Sequence, residues 1–413
     1  MAHDMTHKVL HILSQRPSLT GSGVTLEAAV RHAGRAGWDQ EVVCGVPVDD
    51  PEPEVGGLEP DRIHPLVFET EGLDFPVPGM SDVMPYPSTV FSQMTPAQVE
   101  AYVQAWRRHI STVVSRFEPD LVHTHHVWLM SSILKDVAPA TSAVTQCHAT
   151  GLRQMKLCQH LAEDVRKGCR RNERFLVQNP ERRIELAATL DIPVERVHVV
   201  GAGFREDLFH CRGRDAEPGP RLVYVGKYAR AKGLPWLLDA VERLAESHRG
   251  LELHVAGSGA GTEAEGIEER MRGMEAVTLH GQLGQGELAD LMRTCSVMVL
   301  PSFYEGVPLV LVEAAACGCR TVSTRLQGVV ENLVGPLGDA LALVDMPRLT
   351  GVDTPEPGDL PTFVENLAEA VDRALSLPAP GDLPLEPLTW KAVFGRIEAV
   401  WTTLLHGTQG GLT

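Results

Sequence analysis

The stretch His7–Val46, HKVLHILSQRPSLTGSGVTLEAAVRHAGRAGWDQEVVCGV, decides the fold. It opens on the short apolar run HKVLHIL and passes through polar residues to TGSG, Thr20–Gly23. It continues into VTLEAAVRHAGRAGWD, whose apolar residues recur at helical spacing until Gly37, and closes on a second apolar run, QEVVCGV. Strand, glycine loop, helix and strand within some forty residues make a βαβ unit, which builds parallel sheets.

The pattern extends outward. PAQVEAYVQAWRRHISTVVSRF, from Pro96, is an amphipathic helix with Thr95 as N-cap and proline at the favoured first position. Short apolar runs follow, DLVHTHH, SAVTQCHATG, RFLVQN and RVHVVGAG, each ending in a polar or glycine-containing tip. Between Asp49 and Thr95 prolines and acidic residues recur without period, apart from IHPLVF, and read as loops. Gly, Pro and charges cluster again at His210–Arg221, which reads as a linker. Beyond it the alternation restarts with RLVYVG, LELHVAG, AVTLHG, SVMVLPS and CRTVST, separated by helical patterns and followed by the helices FVENLAEAVDRALSL and TWKAVFGRIEAVWTTLL. A chain of 413 residues exceeds one hydrophobic core. The expectation is two doubly wound domains, 1–209 and 210–385, with a helix at about 386–405 crossing back to the first.

Composition narrows the function. With 43% apolar and 22% charged residues the chain is globular, and a formal charge of −17 opposes nucleic-acid binding, which needs a basic surface. An anionic ligand therefore requires a local basic pocket. Eight scattered cysteines suit a reducing compartment. The opening MAHDMTHKVLHIL lacks a cationic start followed by a long apolar core, and no window approaches the roughly 18 apolar residues that span a bilayer. A cytoplasmic location with at most peripheral membrane contact is expected.

Several constellations can carry chemistry. KYARAKG, Lys227–Gly233, follows the strand RLVYVG; Gly226 permits close backbone approach, and Lys227 and Lys232 suit a diphosphate beside free amides. SFYEGVPLVLVE, Ser302–Glu313, sets Glu305 at a strand tip and Glu313 eight positions on, just over two helical turns, with the segment Gly306, Val307, Pro308 and Leu309 at a helix start, where every residue but the proline offers an N–H. TGSG, with Gly21 and Gly23, opens a helix in the first domain. His123, His125, His126 and His148 stand at strand ends, where imidazoles can donate to sugar hydroxyls or, as a pair, hold a metal. No carboxylate joins them at ligand spacing and no CxxC occurs, so no metal centre is expected. Cys147, Cys158 and Cys169, eleven apart, read as core thiols. Arg153, Lys156, Arg166, Lys167, Arg170, Arg171 and Arg174 form a basic stretch, either a solvated helix face or a positive wall for an anionic acceptor.

These motifs, in this order, resemble the retaining GT-B glycosyltransferases of family 4, densely over Arg221–Glu331 and loosely before. The resemblance implies two Rossmann-like domains facing across a cleft and transfer of a sugar from a nucleotide-sugar donor, with UDP favoured. It implies a same-face mechanism without metal or other cofactor. In its terms Lys227 and Lys232 bind the donor diphosphate, Glu305 holds hydroxyls of the transferred sugar, and Gly306–Leu309 meet sugar and phosphate through their amides. Glu313 holds the ribose, LHGQL at Leu279–Leu283 frames the base through Leu283, and Gly226 and Gly257 complete the donor set. TGSG approaches the donor phosphate, His148 lies near the reacting sugar, and His126, Arg153 and Lys156 face an unidentified acceptor, expected to be small and anionic. Two departures stand out: AGFR at Ala202–Arg205 replaces the family's Asn-Gly-Val-Asp, and Lys227 replaces its arginine, keeping charge without the bidentate fork. A nucleotide-sugar epimerase or hydrolase, and a non-catalytic nucleotide-sugar-binding subunit, are the competing readings.

Overall fold

Two parallel sheets organise the chain in the computed structural model, which describes residues 6–17, 20–81, 84, 86–216, 218–351 and 353–409. The first five residues of the opening segment, Glu217 of the linker and Val352 of the late loop lie outside the described residues.

In the first sheet Lys8–Leu13 pairs on one side with Asp39–Val46 and on the other with Leu121–His125. Ile63–Val67 extends one edge; Ser142–Gln146, Arg174–Val177 and Val197–Val199 extend the other. Numbered along the chain, the order is 3-2-1-4-5-6-7, so the chain reverses direction of growth after its third strand. The central strands are buried on both faces, as in a parallel sheet covered on both sides. Val9, Leu10, Ile12 and Leu13 are all fully buried.

The helix Pro96–Phe117 shows how local sequence sets an element. Thr95 accepts from the Gln98 amide at 3.3 Å while Gln98 accepts from the Thr95 amide at 2.9 Å, a reciprocal capping box in front of Pro96. Tyr102, Trp106, Ile110, Val113 and Phe117 fall on one face and enter the core, each such burial contributing about 1.5–3 kcal/mol before entropy is charged. The helix ends where Glu118 takes a left-handed conformation.

The second sheet contains Arg221–Val225, Glu252–Ala256, Val277–Gly281, Val297–Leu300, Arg320–Thr324 and Leu341–Val344 in the order 3-2-1-4-5-6. Five of these six were expected. Leu341–Val344 is only four residues of LALV, too short for its period to declare a strand.

The chain divides into two compact units, one comprising the residues up to Gly201 with those from Trp390 onward, the other Ala202–Thr389. The division thus falls before the expected 209/210 boundary. Phe204 and Phe209 explain it: both are buried with Met292, Cys295 and Met298, so residues 204–209, read from sequence as the end of the first domain, belong to the core of the second unit. The last helix, Trp390–Gln409, starts after a single turn at Glu386–Leu388. Its Trp390, Val393, Phe394, Ile397, Trp401 and Leu404 pack with Val9, Leu121 and Val144 of the first unit. No helix among the described residues is long and apolar enough to cross a membrane.

Candidate active site

In the second unit the loops that follow the first and fourth strands of the sheet are laced together. The Phe303 amide donates to the Ala231 carbonyl at 2.9 Å, and the Tyr224 hydroxyl donates to the Lys227 carbonyl at 2.8 Å. Two glycines permit this closeness. Gly233 has φ +70 and a Cβ there would stand 2.0 Å from the Pro301 carbonyl oxygen. At Gly257 (φ +142) a Cβ would stand 1.9 Å from the Gly226 oxygen. Gly226 therefore provides the carbonyl that Gly257 approaches, and both glycines serve the backbone first.

Glu305 lies at the centre. Its Oε1 accepts from Lys232 Nζ at 2.7 Å and from Ser302 Oγ at 2.8 Å, and Lys232 Nζ also reaches the Tyr304 carbonyl at 3.4 Å. Ser302 is itself fixed, its carbonyl receiving Thr324 Oγ1. The ammonium and carboxylate expected to act separately thus form one half-buried ion pair, with Oε2 of Glu305 and a third Lys232 proton left for a ligand. Lys227 is exposed and makes no ion pair among the described residues.

Gly306 is exposed, and a Cβ there would meet nothing within 4 Å. Val307 and Pro308 lead into the helix Leu309–Ala316, whose first amides are the orphan donors every helix start leaves. This corrects the helical-spacing argument for the two glutamates. Residues 301–308 are not helical, so Glu305 stands on the loop and Glu313 alone on the helix. Glu313 keeps part of its surface accessible, yet burial of its carboxyl raises the pKa to about 7. Leu283 is half-buried just past Val277–Gly281, before the helix Gln285–Arg293 that Glu287 caps through the Gly284 amide at 2.9 Å.

Residues 219–346 match the Glycosyl transferases group 1 family, and residues 20–203 match the Glycosyl transferase 4-like domain. The chain belongs to the group 1, 4-like glycosyltransferases. A glycogen synthase of Mycobacterium tuberculosis is 28% identical over 252 residues, which span 56% of this chain and 59% of that one. Sucrose-phosphate synthase from Thermosynechococcus elongatus superposes with TM-score 0.63 at 14% identity, over 97% of this chain and 100% of that one. Anabaena Alr3699/HepE in complex with UDP superposes with TM-score 0.59 at 16% identity, over 96% and 100%. The two Rossmann-like units are those of the GT-B fold.

In the first unit of this glycosyltransferase-family chain, Thr20 caps the helix Gly21–Arg35 by accepting from the Gly23 amide at 3.1 Å. A Cβ at Gly21 would meet open space, whereas one at Gly23 would stand 2.1 Å from the Pro17 oxygen, so Gly23 is needed for packing. Gln15 Nε2 ties the loop down through Thr20 Oγ1 and Ser22 Oγ. His148 precedes the helix Ala149–Leu157 and is 7% exposed; its Nε2 lies 3.2 Å from His125 Nδ1. His126 is 2% exposed and held at φ +72, its Nδ1 3.2 Å from Thr150 Oγ1, which removes it from any accessible acceptor face.

The basic stretch is largely neutralised. Lys156 pairs with Glu185, Arg166 and Lys167 with Glu163, Arg170 with Asp191, and Arg171 with Asp136. It is a solvated, ion-paired surface in which Arg153 is exposed without an ion pair among the described residues. Cys147, Cys158 and Cys169 are buried thiols within one core cluster; burial pushes Cys147 up to about 12 and Cys169 higher still. Sequence reasoning missed Ser302 and Tyr304 as the partners that fix Glu305 and Lys232. The signal was present in SFYE itself, a hydroxyl three residues before a carboxylate on a tight loop.

Proposed function

We propose that this chain transfers a glycosyl group from a nucleoside-diphosphate sugar, UDP-linked in the first instance, to a hydroxyl of an acceptor, with retention and without a metal at the reacting centre. The observation that carries the reading is the Lys232–Glu305–Ser302 network beside the start of the helix Leu309–Ala316. One loop there offers a cation, a fixed carboxylate and helix-start amides, the groups that a sugar diphosphate requires. The family membership supports it, as does the fold shared with an Anabaena protein crystallised with UDP.

In this reading Lys227 and Lys232 stabilise the charge that develops on the departing diphosphate, and Gly306–Leu309 add their amides. Glu305, oriented by Lys232 and Ser302, accepts from hydroxyls of the transferred sugar. Glu313 in its ionised form accepts from the ribose, and Leu283 borders the base. A donor phosphate oxygen takes the proton of the attacking hydroxyl on the face the leaving group vacates. Acceptor binding falls to the first unit.

The test is a panel of UDP-, GDP- and ADP-sugars, scored for release of nucleoside diphosphate and for the anomeric form of the sugar released. Release from a UDP-sugar with the donor's anomeric configuration kept supports the reading. Donor binding without turnover, or epimerised sugar nucleotide as the product, assigns the chain to a binding subunit or an epimerase instead.

A further inference from the structure

His11, His123 and His125 meet inside the first unit, although 112 residues separate the first two. Parallel pairing of Lys8–Leu13 with Leu121–His125 sets His11 directly opposite His123, and the period-two alternation of strands returns His125 to the same face. All three are 0% exposed, and one ring nitrogen from each lies within 4.8 Å of those of the other two. Among the described residues, both ring nitrogens of His11, both of His123 and Nε2 of His125 lack a partner of full hydrogen-bonding geometry, with Gln40 beside His11 and Gln146 beside His123. Ring nitrogens so weakly satisfied at one point in a core form a costly arrangement, since each loses its hydration for little in return.

The surroundings supply what imidazole ligands need. All three rings are fully buried, an environment that favours the uncharged imidazole with a lone pair available. Gln40 lies beside His11 and Gln146 beside His123, and the amide oxygens of both glutamines lack a partner of hydrogen-bonding geometry. Those oxygens are the acceptors for the N–H on the far side of a ligating ring. His148 plays that part for His125 across 3.2 Å. Trp401 closes the site, its ring centroid 5.7 Å from His11 and 5.3 Å from His123.

We propose that His11, His123 and His125 bind a transition-metal ion of the class imidazole prefers, zinc first, as a structural centre of the first unit. Three neutral nitrogens at about 2.0–2.1 Å fit zinc with a water as the fourth ligand, and tetrahedral geometry at that distance brings ligand atoms to about 3.3 Å apart, so modest side-chain adjustment closes the cluster. His125 then ligates through Nε2, carries its proton on Nδ1 and donates it to His148 Nε2. The ion thereby fixes the tautomer of His148, whose remaining proton sits on Nδ1.

The test uses the full chain, free of any histidine tag and purified without chelator. Elemental analysis is expected to find about one zinc per chain after dialysis against zinc, and cobalt substitution to give the visible absorption of a tetrahedral nitrogen site. Added zinc is expected to raise Tm in the wild type and in Trp401→Phe but not in His11→Leu. Wild-type protein that retains no metal, shows no cobalt absorption and has a zinc-independent Tm would overturn the proposal, and that outcome requires no variant to fold.

Discussion

The first six strands of the seven in one unit take the order of all six in the other, 3-2-1-4-5-6, and the units differ in what they place on equivalent strands and in the loops after them. Past the first and fourth strands of the second sheet stand Lys227, Lys232 and Glu305, charged and partly exposed. On the first and fourth strands of the first sheet stand His11, His123 and His125, neutral and fully buried. One topology thus supports two electrostatic regimes. The sheet supplies position, and the residues at its strand ends and in the loops after them supply chemistry.

The largest effect should come from removing the cation at the centre of the charged tip. Lys232→Ala is expected to cut turnover roughly 10²-fold or more, because it takes a preorganised charge from the leaving group and leaves Glu305 unpaired; steady-state kcat with a UDP-sugar checks it. Near-normal turnover would mean that the pair at 2.7 Å is structural only. Glu305→Gln follows, with a loss of roughly 10- to 100-fold in kcat/KM, the scale of a hydrogen bond to a charged group.

Glu313 sharpens the comparison by pH. Its raised pKa, about 7, keeps it protonated in an increasing fraction as pH falls through neutrality. A ribose that donates to the carboxylate binds the ionised form, so donor affinity should rise up to about tenfold from pH 6 to pH 8 and the rise should vanish in Glu313→Gln. Calorimetric titration of UDP across that range measures it. A buried histidine titrating in the first unit would leave the Glu313→Gln profile unchanged.

Much of this was legible in the sequence where the governing interaction is local. Thr95, Pro96 and Gln98 announce their helix because a capping box spans four residues. The nearness of Lys232 and Glu305 was legible because each follows closely on one of two neighbouring strands. The pairing of His11 with His123 was not, since it depends on which strands become neighbours after a long crossover. The helical spacing of Glu305 and Glu313 misled because Gly306, Val307 and Pro308 stay outside the helix, which begins only at Leu309. The ion pairs that neutralise the basic stretch come in part from Asp136, Glu185 and Asp191, which no spacing rule links to it.

The smallest effect is a local one. Thr95→Ala should lower stability by about 1 kcal/mol, read as a shift in urea midpoint, while leaving donor turnover intact, since the cap lies on the other unit from the lysines.

The central claim, that donor binding belongs to the charged tips of the second unit, is tested most directly by titrating UDP into wild type, Lys232→Ala and His148→Asn at one pH. The account predicts a Kd weakened roughly tenfold or more in Lys232→Ala and near the wild-type value in His148→Asn. Equal affinity in wild type and Lys232→Ala, or a loss confined to His148→Asn, would contradict it.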